Sequence, residues 1–321
     1  MAIRILPDSI KIGPYTLSET NTGFKFDGVV RSYGTLIHNY FGGEVAGYTS
    51  GGWVPGNSNV TDKFPFATNA NATDVGDLTV ARTAAAGQSS SVSGYTSGGG
   101  FPANNTIDRF PFASNANSTD VGDLTVARIS VAGQSSAASG YTSGGSVSNV
   151  IDKFPFASNA NATDVGDLTV AREATAGQSS SSSGYNSGGL TTAPIVNTID
   201  RFPFASNANA TDVGDLSQIR YYSAGTSSAE SGYTAGGFAP PRTNVIDKFP
   251  FASNANATDV GDLTAIRDQV TGQSSTSFGY SSGGSPGFLN IVDRFPFASN
   301  ANATDVGDLT QGREAPAGQQ D

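Results

Sequence analysis

The sequence predicts an all-β protein, a ring of six four-stranded blades (a β-propeller) preceded by a short β-rich N-terminal arm. Three observations lead there. The stretch NVTDKFPFATNANATDVGDLTVAR at 59–82 returns in close variants, with FPF triplets beginning at Phe64, Phe110, Phe154, Phe202, Phe249 and Phe295. Their spacings of 46, 44, 48, 47 and 46 residues mark an array of supersecondary units. A second stretch, AGQSS…GYTSGG, runs between the copies and places Gly-Tyr pairs at 47, 94, 140, 184, 232 and 279. No segment carries ten or more residues of helical periodicity.

Residues 1–40 do not repeat. Pro and Gly separate β-prone pieces at 3–6, 10–12, 24–26 and 29–30, an arm too small for its own core and expected to pack on the ring or on another protein. The ring takes residues 41–321. In its second copy, strand a reads as 84–90, b as 93–97 and c as 106–112; 113–122 is a long polar connection and d covers 123–127. Pro111 lacks the N–H that an interior strand position needs, which puts it at the end of c. One blade cannot bury both faces, so blades stack radially and close. The first GYTSGG is preceded by NYFGGEVA in place of AGQSS, whereas the last residues read AREAPAGQQD. Ala317, Gly318 and Gln319 are therefore expected to supply the strand that the first blade lacks.

Forty glycines, 15 prolines and only 14% charged residues describe a turn-rich β protein, and the regular aromatic residues supply the apolar surface that a disordered chain lacks. Of the net charge of −10, the six copies contribute −6 (18 acidic, 12 basic) and the remainder −4. Without a basic stripe there is no footprint for nucleic acid. No cysteine is present, which removes disulfide scaffolding and thiolate metal sites. The opening MAIRILPDSIKIG lacks the apolar run of a signal peptide, and no later stretch is long enough for a membrane-spanning helix.

The paired phenylalanines read as inter-blade packing, each buried ring contributing about 2–3 kcal/mol. Arg82, Arg128, Arg172, Arg220, Arg267 and Arg313 recur once per blade and read as structural partners of Asp62, Asp108 and their equivalents, in exposed pairs that add little stability. Lys63, Arg109, Lys153, Arg201, Lys248 and Arg294 alternate strictly, as if a two-blade unit were used three times. Asn69, Asn71, Thr73 and Asp77 place oxygens at positions 1, 3, 5 and 9, similar to the calcium loop of integrin-type propeller repeats. Calcium wants six to eight oxygens with several carboxylates, and Asx turns account for the same Asn and Thr; no cofactor is expected, with calcium the alternative.

Catalytic groups are scarce. His38 is the single histidine, no Ser/His pair or G-x-S-x-G elbow can be placed, and the glycine runs lack the Lys-Ser/Thr of a phosphate loop. DVGDL resembles the Asp-box of sialidases, but without its aromatic residue or an arginine triad. The varying element is the b–c loop: WVPGNSN (53–59), GFPANN (100–105), SVSN (146–149), LTTAPIVN (190–197), FAPPRTN (238–244) and SPGFLN (285–290). In propeller geometry these emerge on one face with the d–a links, where a rigid scaffold positions loops for recognition. Trp53, Phe101, Leu190, Phe238, Arg242 and Phe288 offer aromatic, apolar and cationic contacts to a protein or sugar surface; drift in tolerant loops is the plain alternative.

Gly-Gly after a Tyr-containing strand, Asn-x-Ile-Asp-Arg-Phe at 105–110 and Leu-Thr-x-Ala-Arg at 124–128 resemble the kelch repeat, over about residues 43–320. The usual kelch Trp is missing, since Trp53 lies elsewhere. Kelch-fold copper oxidases need Cys, Tyr and His ligands that this chain lacks. The near-identical GYTSGG…IDKFPFA…TDVGDLT copies, and the opening RILPDSIKIGPYTLSETNTGFKFDGVVRS, resemble virion-associated proteins of marine bacteriophages, cyanophages included. That resemblance implies a non-enzymatic virion protein assembled in the host cytoplasm. Residues 1–40 would bind other virion proteins, and the ring would face a host-surface protein or glycan or another copy of the chain. The alternatives are an intracellular kelch-type interaction scaffold and a sugar-active propeller enzyme.

Overall fold

The structure is a computed structural model that describes residues 43–321 and, ahead of them, the backbone of five strands. The chain divides into two compact units, Met1–Asn39 and Tyr40–Asp321. In the first, Ile3–Leu6, Ser9–Ile12, Tyr15–Thr20, Gly23–Phe26 and Val29–Ser32 form an antiparallel meander in chain order. Ile3 stands opposite Ile12 and Ile12 opposite Tyr15. Tyr15–Thr20 was not legible as a strand because YTLSET carries little apolar alternation. His38 lies outside the described residues.

The second unit is a six-bladed β-propeller of four-stranded antiparallel sheets, each ordered a-b-c-d. Blade 2 comprises Ala86–Ser89, Ser93–Ser97, Thr106–Pro111 and Thr119–Asp123. Blade 1 draws strand a, Ala317–Gln320, from the other end of the chain; Gly318 lies opposite Thr49 and Gln319 opposite Tyr48.

Strand d begins four residues earlier than the sequence suggested, and the polar connection is correspondingly short. TDVGD pairs with c across a register break between Ile107 and Asp108. The following LTVAR lies outside the sheet and packs Leu124 and Arg128, both buried, at the seam with the next blade. Only in blade 3 does the ladder run on, through Thr163–Arg172.

Each seam repeats one arrangement. Tyr95 of blade 2 stacks on Phe156 of blade 3 at 4.8 Å and tilts against Phe154 at 5.6 Å; Tyr280 meets Phe64 and Phe66 in the same way where blade 6 closes on blade 1. Such pairs add about 0.5–1.5 kcal/mol to the area they bury. The glycine before each tyrosine has its own reason. Gly94 faces Phe110 across the b–c ladder, and a Cβ there would overlap the Phe110 ring. Glycine makes room for the ring of its own blade while tyrosine reaches the next.

The arginines also serve the seams, and the expectation of exposed pairs is corrected. Arg128 Nη2 lies 2.6 Å from Asp152 Oδ2, both side chains buried. Its Nη1 donates to the carbonyls of Gly144 and Val150 at 2.8 and 2.9 Å. The Thr125 hydroxyl donates to Asp152 Oδ1 at 2.7 Å. Burial pulls the guanidinium below its ordinary pKa and Asp152 opposes that pull. A buried charge is tolerable only with this degree of pairing. Five equivalent pairs complete the ring, the last joining Arg313 to Asp62.

The Lys/Arg alternation has a physical counterpart. Lys63, Lys153 and Lys248 each hold the ammonium over the tyrosine of their own blade, 5.4–5.7 Å from its centroid. Arg109, Arg201 and Arg294, with longer forked heads, reach the next blade and donate to Asn159, Asn254 and Asn69 at 3.2 Å. Alternate seams thus carry an extra clip.

At the axis the inner strands crowd so closely that a Cβ on Gly133 would overlap the Gly87 carbonyl. Two small polar cavities of about 60 and 100 Å3 lie along it. At the end nearer the b–c loops, Ala84, Ser130, Ala174, Tyr222, Gln269 and Ala315 all adopt left-handed backbone, φ 47–57°. Each donates its N–H to the carbonyl of the same position one blade back, at 2.7–2.8 Å, and the Ala84 bond to Ala315 closes the circle. Six bonds hold six residues in a conformation that non-glycine residues rarely adopt.

Candidate functional site

The six b–c loops share one face with the d–a links. In every blade the residue after Gly-Gly pairs by backbone hydrogen bonds with the residue after the preceding seam arginine. Phe238 N–H donates to the Tyr221 carbonyl at 2.8 Å, Ser285 to Asp268 at 2.8 Å, Leu190 to Glu173 at 2.9 Å and Trp53 to Glu314 at 2.7 Å. Gly100 and Ser146 donate likewise to Thr83 and Ile129, at 2.7 and 3.0 Å. Backbone alone makes these contacts, so side-chain identity is free to differ from blade to blade.

Among the described residues nine large apolar side chains are exposed. Seven of them, Trp53, Phe101, Val80, Val126, Val170, Ile219 and Ile266, stand on this face. Val45 and Val92 occupy equivalent places at the start of strand b on the opposite face. The asymmetry matters because scattered exposed aliphatics need no explanation, whereas a one-sided concentration does.

The six residues singled out from the sequence fall into two groups. Phe101 is the most open, 65% exposed, and Trp53 is 37% exposed; their loops touch where Asn57 Nδ2 donates to the Phe101 carbonyl at 3.3 Å. Phe238 and Arg242 come together on blade 5, with the guanidinium 5.9 Å from the ring centroid. Leu190 and Phe288 are half-buried and stand apart from both groups, Phe288 with left-handed backbone at φ 56°.

The site also includes residues that the sequence reading passed over. Tyr221 tilts against Phe238 at 5.5 Å and against Tyr222 at 5.0 Å. Arg242 Nε is bound to Asp268 Oδ1 at 2.6 Å, with Arg242 34% and Asp268 5% exposed, and its Nη2 reaches Ser285 Oγ at 3.4 Å. Burial pushes the Tyr221 phenol pKa up, with Tyr222 and Asp268 adding to the rise. A signal for these residues was present. The dipeptides after the seam arginines read TA, IS, EA, YY, DQ and EA, varying as the loops vary.

The oxygens of the calcium alternative are divided among other tasks. Asn71 Oδ1 accepts the Asp308 N–H of the neighbouring blade at 3.1 Å, and Asn69 Oδ1 accepts from Arg294. Thr73 and Asp77 lie on strand d. Among the described residues no three His, Cys, Asp or Glu side chains converge as a metal site would require. In comparisons with known proteins, the chain matches no family model and no curated protein.

Proposed function

We propose that the protein is a non-enzymatic component of a phage particle. Residues 1–40 hold it to other virion proteins, and its kelch-like ring presents the loop face to a host-surface protein or glycan. The observation that carries this reading is the contrast within one chain. Everything between the blades is repeated, while the b–c loops and the residues paired with them vary from blade to blade, and two of those loops put Trp53 and Phe101 out on the face that carries seven of the nine exposed large apolar side chains of the described residues. Loops on a rigid frame are where recognition resides.

The repeats and the opening segment, which resemble phage virion proteins, supply the setting. Assembly in the host cytoplasm fits that setting. The test is to assemble particles with protein lacking residues 1–40. Loss of the ring from purified particles supports anchoring by the arm, and a ring that stays attached overturns it. The same face suits an intracellular interaction scaffold, and a pull-down against purified virions separates the two: capture by the virion favours the particle, and capture only by cytoplasmic protein favours the scaffold.

A further inference from the structure

The sector where blades 4, 5 and 6 meet departs from the repeat in a concerted way. The ring of left-handed residues imposes one backbone geometry on six positions, and five of them are filled by Ala, Ser or Gln. The sixth is Tyr222, a bulky residue at φ 57°. Since Ala satisfies the geometry elsewhere, the backbone does not call for an aromatic there. Strain kept at one position of a repeated set points to use of the side chain. Tyr221, directly before it, is likewise the only aromatic among its six equivalents.

These two tyrosines and Phe238 form a small aromatic cluster with centroids 5.0–5.5 Å apart, each ring tilted by 47–54° to its neighbour, so that the cluster presents faces in more than one direction. Beside it lies the Arg242–Asp268 pair. The six seam pairs are buried and hold blades together; this pair joins a loop to a link, and Arg242 remains partly exposed. Among the described residues neither tyrosine hydroxyl, nor Arg242 Nη1, has a hydrogen-bond partner. Next to Tyr222 a recess of about 60 Å3 opens at the mouth of the axis, room for about two waters or a substituent of that size.

We propose that Tyr221, Tyr222, Phe238, Arg242 and Asp268 form a subsite for a pyranose sugar. The inference rests on the recognition-face reading and names the ligand class of one sector of it. Ring faces stack on the C–H face of a pyranose. The partly exposed guanidinium, held in place by the buried Asp268, offers donors at one edge to the oxygens of vicinal hydroxyls, and the tyrosine hydroxyls beside it can both donate and accept. A protein partner of ordinary affinity covers about 800 Å2 on each side, far more than three rings and one ion pair. The pair is held by Ser285 as well, so its geometry is fixed before a ligand arrives.

The experiment is saturation-transfer NMR on the full chain with millimolar glucose, galactose, mannose and N-acetylglucosamine, and with β-linked oligomers of each. Binding of at least one sugar is expected, weakened at least tenfold by Tyr221→Ala and by Arg242→Ala and retained by Trp53→Ala, with melting temperatures of Tyr221→Ala and Trp53→Ala near that of the parent. Arg242→Lys, which keeps the charge and loses the fork, is expected to weaken binding too. Absence of transfer from every sugar overturns the subsite. Binding that survives Tyr221→Ala and Arg242→Ala but is lost in Trp53→Ala also overturns it, while leaving the recognition face in place on blade 1. If no sugar binds but the chain still adheres to host cells, the subsite fails and the face reading stands; if adhesion is absent too, both fail.

Discussion

At the seams the same groups meet six times: a tyrosine on two phenylalanines, an arginine on an aspartate. On the loop face no two pairings are alike, and Trp53 meets Glu314 where Phe238 meets Tyr221 and Gly100 meets Thr83. The difference follows from what makes each contact. A seam is a side-chain lock in which ring, guanidinium and carboxylate must each find a matching shape, so one departure leaves a void or a buried unpaired charge. A loop–link pair is a backbone contact and accepts any side chain. The ring thus separates the residues that hold it together from those that can be changed for a ligand.

The strongest way to break the seams is to open the ring. Deleting residues 312–321 removes both strand a of blade 1 and Arg313, and is expected to lower the melting temperature by at least about 10 °C, given the several kcal/mol carried by one buried ion pair and the size of the unit. An unchanged melt by differential scanning calorimetry would show that blade 1 stands without its closing strand.

Breaking one lock inside a closed ring comes next. Asp152→Ala leaves Arg128 buried without its carboxylate and is expected to cost about 3–5 kcal/mol in urea denaturation. A loss under 1 kcal/mol would mean that the carbonyl contacts alone suffice.

The inner belt offers a gain instead of a loss. Gln88 Nε2 donates to the Tyr141 carbonyl and Thr142 Oγ1 of the next blade at 3.0 and 3.1 Å, and Gln134, Gln178, Gln273 and Gln319 also reach a tyrosine carbonyl one blade on. Thr226 holds the sixth place; its Oγ1 and the facing Ser281 Oγ are buried without a partner among the described residues. Thr226→Gln is expected to raise stability by about 1 kcal/mol, the net worth of a restored hydrogen bond. A destabilised variant would show that this seam has repacked around the smaller side chain.

The smallest effect belongs to the loops. Phe101→Ala should change stability by no more than about 0.5 kcal/mol, as for other exposed positions; a larger cost would make that loop part of the scaffold.

Much of the ring was legible because its packing is written in repeated side chains. FPF, Gly-Tyr and the missing first strand led to six blades. The boundary of strand d was not legible, since TDVGD and LTVAR are equally β-prone, and in blade 3 the second run stays in the ladder with Leu168 and Arg172 as buried as Leu124 and Arg128 are in blade 2. The candidate site was half-visible: Phe238 and Arg242 lie in a loop that differs from its five counterparts, but Tyr221, Tyr222 and Asp268 follow a repeated arginine and read as part of a constant link.

The sequence by itself determined the blade count and the aromatic seams, because periodic apolar residues can be buried only against their own copies. Tertiary structure decided which carboxylate each arginine meets, that these pairs are buried, and that loop and link residues form one surface. Those relations join residues of different blades, and their spacing along the chain carries no trace of the distance between them in space.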